Sequence, residues 1–304
     1  MSKQAAKTIM MMRPKHFGYD PASAETNAFQ VKEGYENTNA IQQAALKEFD
    51  NAVATLKAAG VNVLVVEDSD SPVKPNAVFP NNWVSFHRDS KVVLYPMLAE
   101  NRRDERRPEI FDQLKEQGVN IDQFIDLTHY EEENKFLEST GSVIFDYPCE
   151  IAYACVSART HPEVLDKFSE IMGFEPVVFE ALDKDGMEIY HTNVMMCLAD
   201  DYVVICAESI REDQRKNVLD ALEKTGHEVV PITFDQMYHF AGNMLEVENE
   251  AGQSILIMSE AAMHSLDLDQ KERLSQYSRL LSVPIPTIEK YGGGSIRCMM
   301  CRVN

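Results

Sequence analysis

The chain has 304 residues, 44% of them hydrophobic, enough for a substantial core, and a formal net charge of −20. That acidity argues against a general nucleic-acid binder, because phosphate recognition needs a basic footprint and the one dense basic cluster, Arg102-Arg103-Asp104-Glu105-Arg106-Arg107, is interrupted by acids. No apolar run approaches the ~18 to 20 residues that span a bilayer, and the opening Met-Ser-Lys-Gln-Ala-Ala-Lys shows no long apolar region or small-residue cleavage site, so a cytoplasmic location without membrane association is expected.

Hydrophobic periodicity gives a strand at Thr8–Arg13, a helix at Ala40–Ala59 and a strand at Val61–Glu67. A strand pair follows at Trp83–His87 and Val92–Met97, then a helix at Glu105–Gln117 and a strand at Gln123–Leu127. The pattern recurs: strands Ser142–Asp146 and Ile151–Val156, helix Pro162–Met172, strand Pro176–Ala181; then strands Asn193–Leu198 and Tyr202–Ala207, helix Arg211–Thr225, strand Glu228–Ile232. The last stretch reads as strands Met244–Val247 and Ser254–Met258, a helix at Ala262–Tyr277 and a strand at Thr287–Lys290. Close strand pairs argue against an all-parallel sheet, in which every strand needs its own crossover. The element order points instead to a repeated ββαβ unit arranged as a closed ring, and no proline-rich or low-complexity linker divides the chain, so residues 1–304 are expected to form one domain.

Six cysteines lie at 149, 155, 197, 206, 298 and 301, four of them in apolar strand-like runs where cysteine serves as a small hydrophobe. Cys298 and Cys301 form a lone Cys-x-x-Cys, without the second pair that a structural zinc site needs, and the histidines show no metal-ligand spacing. No metal and no cofactor are expected. Cys298 stands out because three glycines, Gly292-Gly293-Gly294, deliver it through a stretch able to bend sharply and admit a substrate to the main chain. Two other segments supply partners, Glu138-Ser-Thr-Gly-Ser142 a carboxylate and Tyr190-His191-Thr-Asn193 an imidazole. Taken singly, His191 reads as a structural histidine, Glu138 as the end of the acidic run from Glu131, and Cys298 as an unreactive thiol; Trp83 and Met10-Met-Met12 read as core packing.

In context, Ala77-Val-Phe-Pro-Asn-Asn-Trp-Val-Ser-Phe-His87, Glu138-Ser-Thr-Gly-Ser142, Ser157-Ala-Arg-Thr160, His191-Thr-Asn193, Gly242-Asn-Met-Leu245 and Gly292-Gly-Gly-Ser-Ile-Arg-Cys298 occur in the order seen in guanidino-group-modifying enzymes. That superfamily holds arginine deiminases, dimethylarginine hydrolases and amidinotransferases. Within it the chain most resembles bacterial citrulline-utilisation hydrolases, through Met11-Met-Arg-Pro14, Asn27-Ala-Phe-Gln30 and Phe79-Pro-Asn-Asn-Trp83. The resemblance implies an α/β fold, a five-bladed α/β propeller (pentein) with a central active site. It implies Cys298 as nucleophile, His191 as proton shuttle and Glu138 as the group that holds the substrate's N–H groups. It places Asn81, Asn82, Asn243 and Gly294 at the pocket and Arg159 where relatives hold an α-carboxylate.

The chemistry is consistent: a guanidino or ureido carbon is resonance-stabilised, and a thiolate that adds to it splits a difficult hydrolysis into two steps. An imidazole with an ordinary pKa near ~6.5 can protonate the leaving nitrogen and then deprotonate water. Asn76 stands where the resemblance leads one to expect an aspartate, which removes a second carboxylate and weakens the case for a full guanidinium cation, a change that an uncharged ureido group would tolerate. The expected activity is hydrolysis of a C–N bond in a small guanidino or ureido amino acid, citrulline to ornithine, ammonia and carbon dioxide foremost. An arginine deiminase-like hydrolase, an amidinotransferase and, in a different class, a non-catalytic propeller binding protein stay open, as does a homodimer.

Overall fold

A computed structural model describes residues 4–303; Met1, Ser2 and Lys3, the start of the segment read as lacking a leader, lie outside the described residues. Fifteen strands are present among them. β1 (Thr8–Arg13) and β2 (Asn62–Glu67) flank the helix Thr38–Ala58, followed by β3 (Val84–His87), β4 (Lys91–Leu94) and β5 (Gln123–Asp126). Then come β6 (Ile144–Asp146), β7 (Ile151–Val156) and β8 (Glu175–Glu180); β9 (Met196–Leu198), β10 (Tyr202–Ile205) and β11 (Glu228–Pro231); β12 (Leu245–Glu248), β13 (Ser254–Ser259) and β14 (Arg279–Val283); and finally β15 (Cys301–Val303).

These form five three-stranded sheets of one design, in which the middle strand pairs antiparallel with an inner strand and parallel with an outer one. A helix makes the parallel crossover, as that geometry demands. Four sheets are consecutive in sequence. The fifth is made from both ends, with β15 antiparallel to β1 (Thr8↔Val303, Met10↔Cys301) and β2 parallel to it (Thr8↔Asn62). Inner strand β3 packs against β15, β6 against β9 and β9 against β12, and the five like sheets make the molecule a five-bladed α/β propeller, the pentein architecture expected from the ββαβ rhythm.

The core lies between blades in four clusters: Tyr202, Val204 and Met258 in one, Phe49, Leu56 and Ile288 in a second, Trp83 and Phe111 in a third, and Tyr95, Phe145 and Phe168 in the fourth. Amphipathic helices cover the blades; Thr38–Ala58 buries Ile41, Ala45, Phe49, Ala52 and Leu56, the i, i+4, i+8 face expected of a helix against a sheet. Among the described residues no helix is long and apolar enough to cross a membrane.

Several elements differ from expectation. The strand expected at Thr287–Lys290 is the helix Pro286–Gly292, started by Pro286 in the first turn and by Glu48, whose carboxylate accepts from the backbone N–H groups of Thr287 and Ile288 at 3.0 Å. The helix expected over Ala262–Tyr277 breaks into Glu260–Ser265 and Leu268–Ser275, because Asp267 opens a new helix with a capping box to Gln270; β14 follows where no strand was expected. Strands expected from Ser142 and Asn193 begin later, each preceded by one helical turn, Ser139–Ser142 and Thr192–Met195.

Candidate active site

The inner strands all begin near one end of the axis, and each is preceded by a turn or short helix: Pro80–Asn82 before β3, Ser139–Ser142 before β6, Thr192–Met195 before β9, residues 240–244 before β12 and the glycine-rich stretch before β15. Five blades thus bring Asn82, Glu138, His191, Asn243 and Cys298 to one place from sequence positions that span more than two hundred residues. Beside them lies a small cavity of about 20 Å³, lined by Asn76, Asn82, Arg102, Arg159, His191, Gly294 and Cys298 and, from the N-terminal segment, by Ser23, Asn27 and Gln30.

Cys298 is 6% exposed. Asn243 Nδ2 lies 3.3 Å and Asn193 Nδ2 3.6 Å from its Sγ, and Asn243 is held in turn by donating to the Asn193 carbonyl at 2.9 Å. Burial raises the thiol pKa, while Asn243, the Arg297 charge and Asn193 pull the other way without cancelling it. His191 is buried beside it, its Nε2 at 2.8 Å from Glu138 Oε2. Burial lowers its pKa to about 4, against the opposing pull of Glu138, so the ring is neutral near pH 7. With Nε2–H donated to the carboxylate, Nδ1 is the basic atom. Both Cys298 and His191 line the same cavity, the thiol held towards its protonated form and the imidazole neutral.

Glu138 departs from its expected task. It is fully buried, absent from the cavity lining, and both its oxygens are occupied: Oε2 by His191 and by Arg159 at 3.2 Å, Oε1 by the Leu98 N–H at 3.1 Å. Where a contact with substrate N–H groups was expected, the carboxylate instead stands behind His191 and meets its Nε2. Burial alone would raise its pKa, but Arg159 and His191 drive it well below the usual carboxylate range. Arg159 thereby supplies the counter-charge that lets His191 stay neutral against an ionised carboxylate.

Gly141 shows why the turn after Glu138 carries glycine: a Cβ there would stand 2.5 Å from Asn82 Nδ2 and 2.8 Å from the His191 ring. Gly293 has φ +63°, a left-handed conformation that glycine takes without strain, and a Cβ on it would meet Gln30 Cγ at 2.6 Å. Its carbonyl accepts from Asn27 Nδ2 at 3.2 Å and Tyr190 Oη at 2.9 Å, which fastens the covering segment to the glycine turn.

Of the expected substrate contacts, Asn82, Arg159 and Gly294 line the cavity, Asn243 touches the sulfur, and Asn81 stands behind the wall with its carbonyl accepting from Thr140 Oγ1. Arg159 already donates to Glu138, to Thr26 Oγ1 and to the Ser23 carbonyl, and its guanidinium lies 5.1 Å from the Tyr190 ring centre. Residues that the sequence did not single out for the site are Arg102, which ion-pairs with Glu105 through two 2.8 Å bonds and donates to Asn82 Oδ1 at 2.7 Å, and Asp20, which accepts from Asn76 Nδ2 at 2.8 Å. The Asp20-Pro21 pair, a cap followed by proline at the first helical position, was the available signal for the latter.

The model of the family described as N,N dimethylarginine dimethylhydrolase, eukaryotic, matches residues 13–304. A comparison with curated protein sequences returns no match. Among solved structures, the N-terminal domain of ArgZ, an arginine dihydrolase from the ornithine-ammonia cycle in cyanobacteria, bound to its substrate, aligns at 17% identity over 98% of both chains with a TM-score of 0.77. Unliganded AgrE aligns at 18% identity over 98% of this chain and 39% of its own length, with a TM-score of 0.76. A dimethylarginine dimethylaminohydrolase adduct with S-methyl-L-thiocitrulline aligns at 16% identity over 98% and 99%, with a TM-score of 0.65.

Proposed function

The chain belongs to the N,N-dimethylarginine dimethylhydrolase family, within the guanidino-modifying superfamily, and from that premise we propose that it hydrolyses the ureido group of citrulline to ornithine, ammonia and carbon dioxide. One observation carries the choice: among the described residues no carboxylate lines the cavity beside Cys298. Asn76 and Asn82 face it instead, and each has an orphaned polar atom, Asn76 Oδ1 an acceptor and Asn82 Nδ2 a donor. A neutral ureido group, with N–H groups and one carbonyl oxygen, complements that pair. A guanidinium would enter between Arg102 and Arg159 with no lining acid to offset its charge, a costly burial.

In the proposed sequence, His191 Nδ1 takes the Cys298 proton as Sγ adds to the ureido carbon. Asn82 donates to the developing oxyanion. His191 returns the proton to the amide nitrogen, which leaves as ammonia, and the ornithine nitrogen remains joined to sulfur through a thiocarbamate. Water, deprotonated by His191, attacks the same carbon, the C–S bond breaks, and the freed carbamate loses carbon dioxide to give ornithine. Arg159, at the cavity wall, offers a positive charge to the α-carboxylate.

Arginine is the second reading, favoured by Asp20, which lies directly behind Asn76 and could counter a cation through it. The test is mass spectrometry and ammonia release from wild type and Cys298→Ser with citrulline, arginine, dimethylarginine and agmatine, with and without an acceptor amine. Ornithine from citrulline alone supports the proposal. Turnover of arginine or dimethylarginine with citrulline untouched refutes it, amidino transfer to the amine makes the protein a transferase, and silence with unmodified Cys298 favours a binding protein.

A further inference from the structure

Further along the inner strands lies a second cavity, of about 40 Å³, that shares no lining residue with the one at Cys298 and forms the rear to its front. The inner strands lead from one to the other: Cys298 is at the front and Arg302 at the rear, Asn193 at the front and Cys197 at the rear, Glu138 at the front and Phe145 at the rear. Two guanidinium groups, Arg297 and Arg302, line the rear cavity together with Gln4, Thr140 and the rings of Phe145 and Tyr147, and no Asp or Glu among the described residues lines it.

Arg297 is the unusual member. It is 8% exposed, yet it makes no ion pair among the described residues; its hydrogen bond goes from one terminal nitrogen to the Met300 carbonyl at 2.9 Å. A buried cation normally meets a carboxylate, because desolvation of an unpaired charge is expensive. Here the remaining donors of a planar fork face a small, enclosed, partly polar space. We propose that the rear cavity is a binding site for a small inorganic anion of halide size, held by Arg297 with Arg302 beside it.

The site would bear on the nucleophile. Arg297 precedes Cys298 in the chain, and its charge is one of the influences that pull the thiol pKa down against burial. An anion on Arg297 offsets that charge and disfavours the thiolate, so occupancy of the rear cavity slows the chemistry of the front one. The anion site stands independently of which guanidino or ureido compound is the substrate.

Bromide is the probe. Crystals of the whole protein grown in sodium bromide should show an anomalous-scattering peak within hydrogen-bond reach of the Arg297 guanidinium, lost in Arg297→Gln. At one pH near neutrality, iodoacetamide should alkylate wild-type Cys298 more slowly in bromide than in a bulky organic sulfonate of equal ionic strength, and the variant should show no difference. Absence of a rear peak from wild-type crystals, a peak at Arg159 in the front cavity only, persistence of the rear peak in the variant, or wild-type alkylation indifferent to bromide each overturns the proposal. The wild-type measurements stand even where the variant fails to fold.

Discussion

Replacement of Glu138 by glutamine separates two tasks that a buried carboxylate beside an active site can perform. The carboxylate binds His191 Nε2 at 2.8 Å, Arg159 at 3.2 Å and the Leu98 N–H at 3.1 Å, and it does not reach the cavity. An amide keeps the shape but removes the charge that Arg159 faces, which leaves a buried cation without its partner. Breaking a buried pair in this way costs about 3–5 kcal/mol. Unfolding entropy of ~2.1 cal/mol/K per residue over 304 residues converts that to a fall in Tm of roughly 5–8 °C. The imidazole loses the acceptor that fixes its tautomer, so general acid-base catalysis fails and kcat falls by roughly 10²–10⁴. KM should move little, because the residue does not line the cavity. Steady-state kinetics on the best substrate and calorimetric melting check both parts. A KM raised tenfold or more with kcat preserved would restore Glu138 as a substrate contact and sink the argument.

Cys298→Ser should abolish turnover, whereas Cys301→Ser should retain much of it, since Cys301 Sγ packs 3.5 Å from the Val84 carbonyl and burial pushes its thiol up to about 12; equal losses in ammonia release would contradict the choice of nucleophile. Asn243→Ala removes a donor 3.3 Å from the sulfur, and a hydrogen bond to a charged group is worth about 1.5–3 kcal/mol, so kcat should drop by roughly ten- to a hundredfold and the pH midpoint of Cys298 alkylation should rise. His87 is neutral because burial, aided by the charges of Arg302 and Lys91, lowers its pKa to about 3. The unfolded chain binds a proton there below pH ~6.5 that the folded chain refuses, so stability is lost as pH falls; one proton over the interval from 6.5 to 5 is worth about 2 kcal/mol. Urea unfolding at pH 7 and pH 5 should show His87→Gln losing about that much less than wild type between the two.

Much of the propeller was legible because its repeats set short apolar strand runs against helices of amphipathic period: Ile151–Val156 and Pro162–Met172 stand where they were expected to the residue. Thr287–Lys290 failed because four residues, Thr-Ile-Glu-Lys, are too few to carry a period, and what decided it was Glu48, almost 240 positions away. β15 was missed because three residues become a strand only when β1 lies beside them. At the site, Cys298, His191 and Glu138 could be named from their motifs, but the task of Glu138 could not, since a carboxylate's role is set by what meets it. Arg159 and Leu98 meet it only in the folded ring. Asp20 and Arg102 were invisible for the same reason: the first reads as a helix cap and the second as part of a solvated charge cluster until Asn76 and Asn82 are brought against them.

The pairing of β15 with β1 also sets an order of assembly. Four sheets join neighbours in sequence and can form early, whereas the fifth unites Thr8 with Val303, nearly three hundred positions apart, and the entropy of closing so long a loop defers it. Cys298 sits three residues before that closing strand. The nucleophile is therefore among the last groups to be fixed, so a partly folded chain would already display its amides and imidazole while its sulfur was still unplaced.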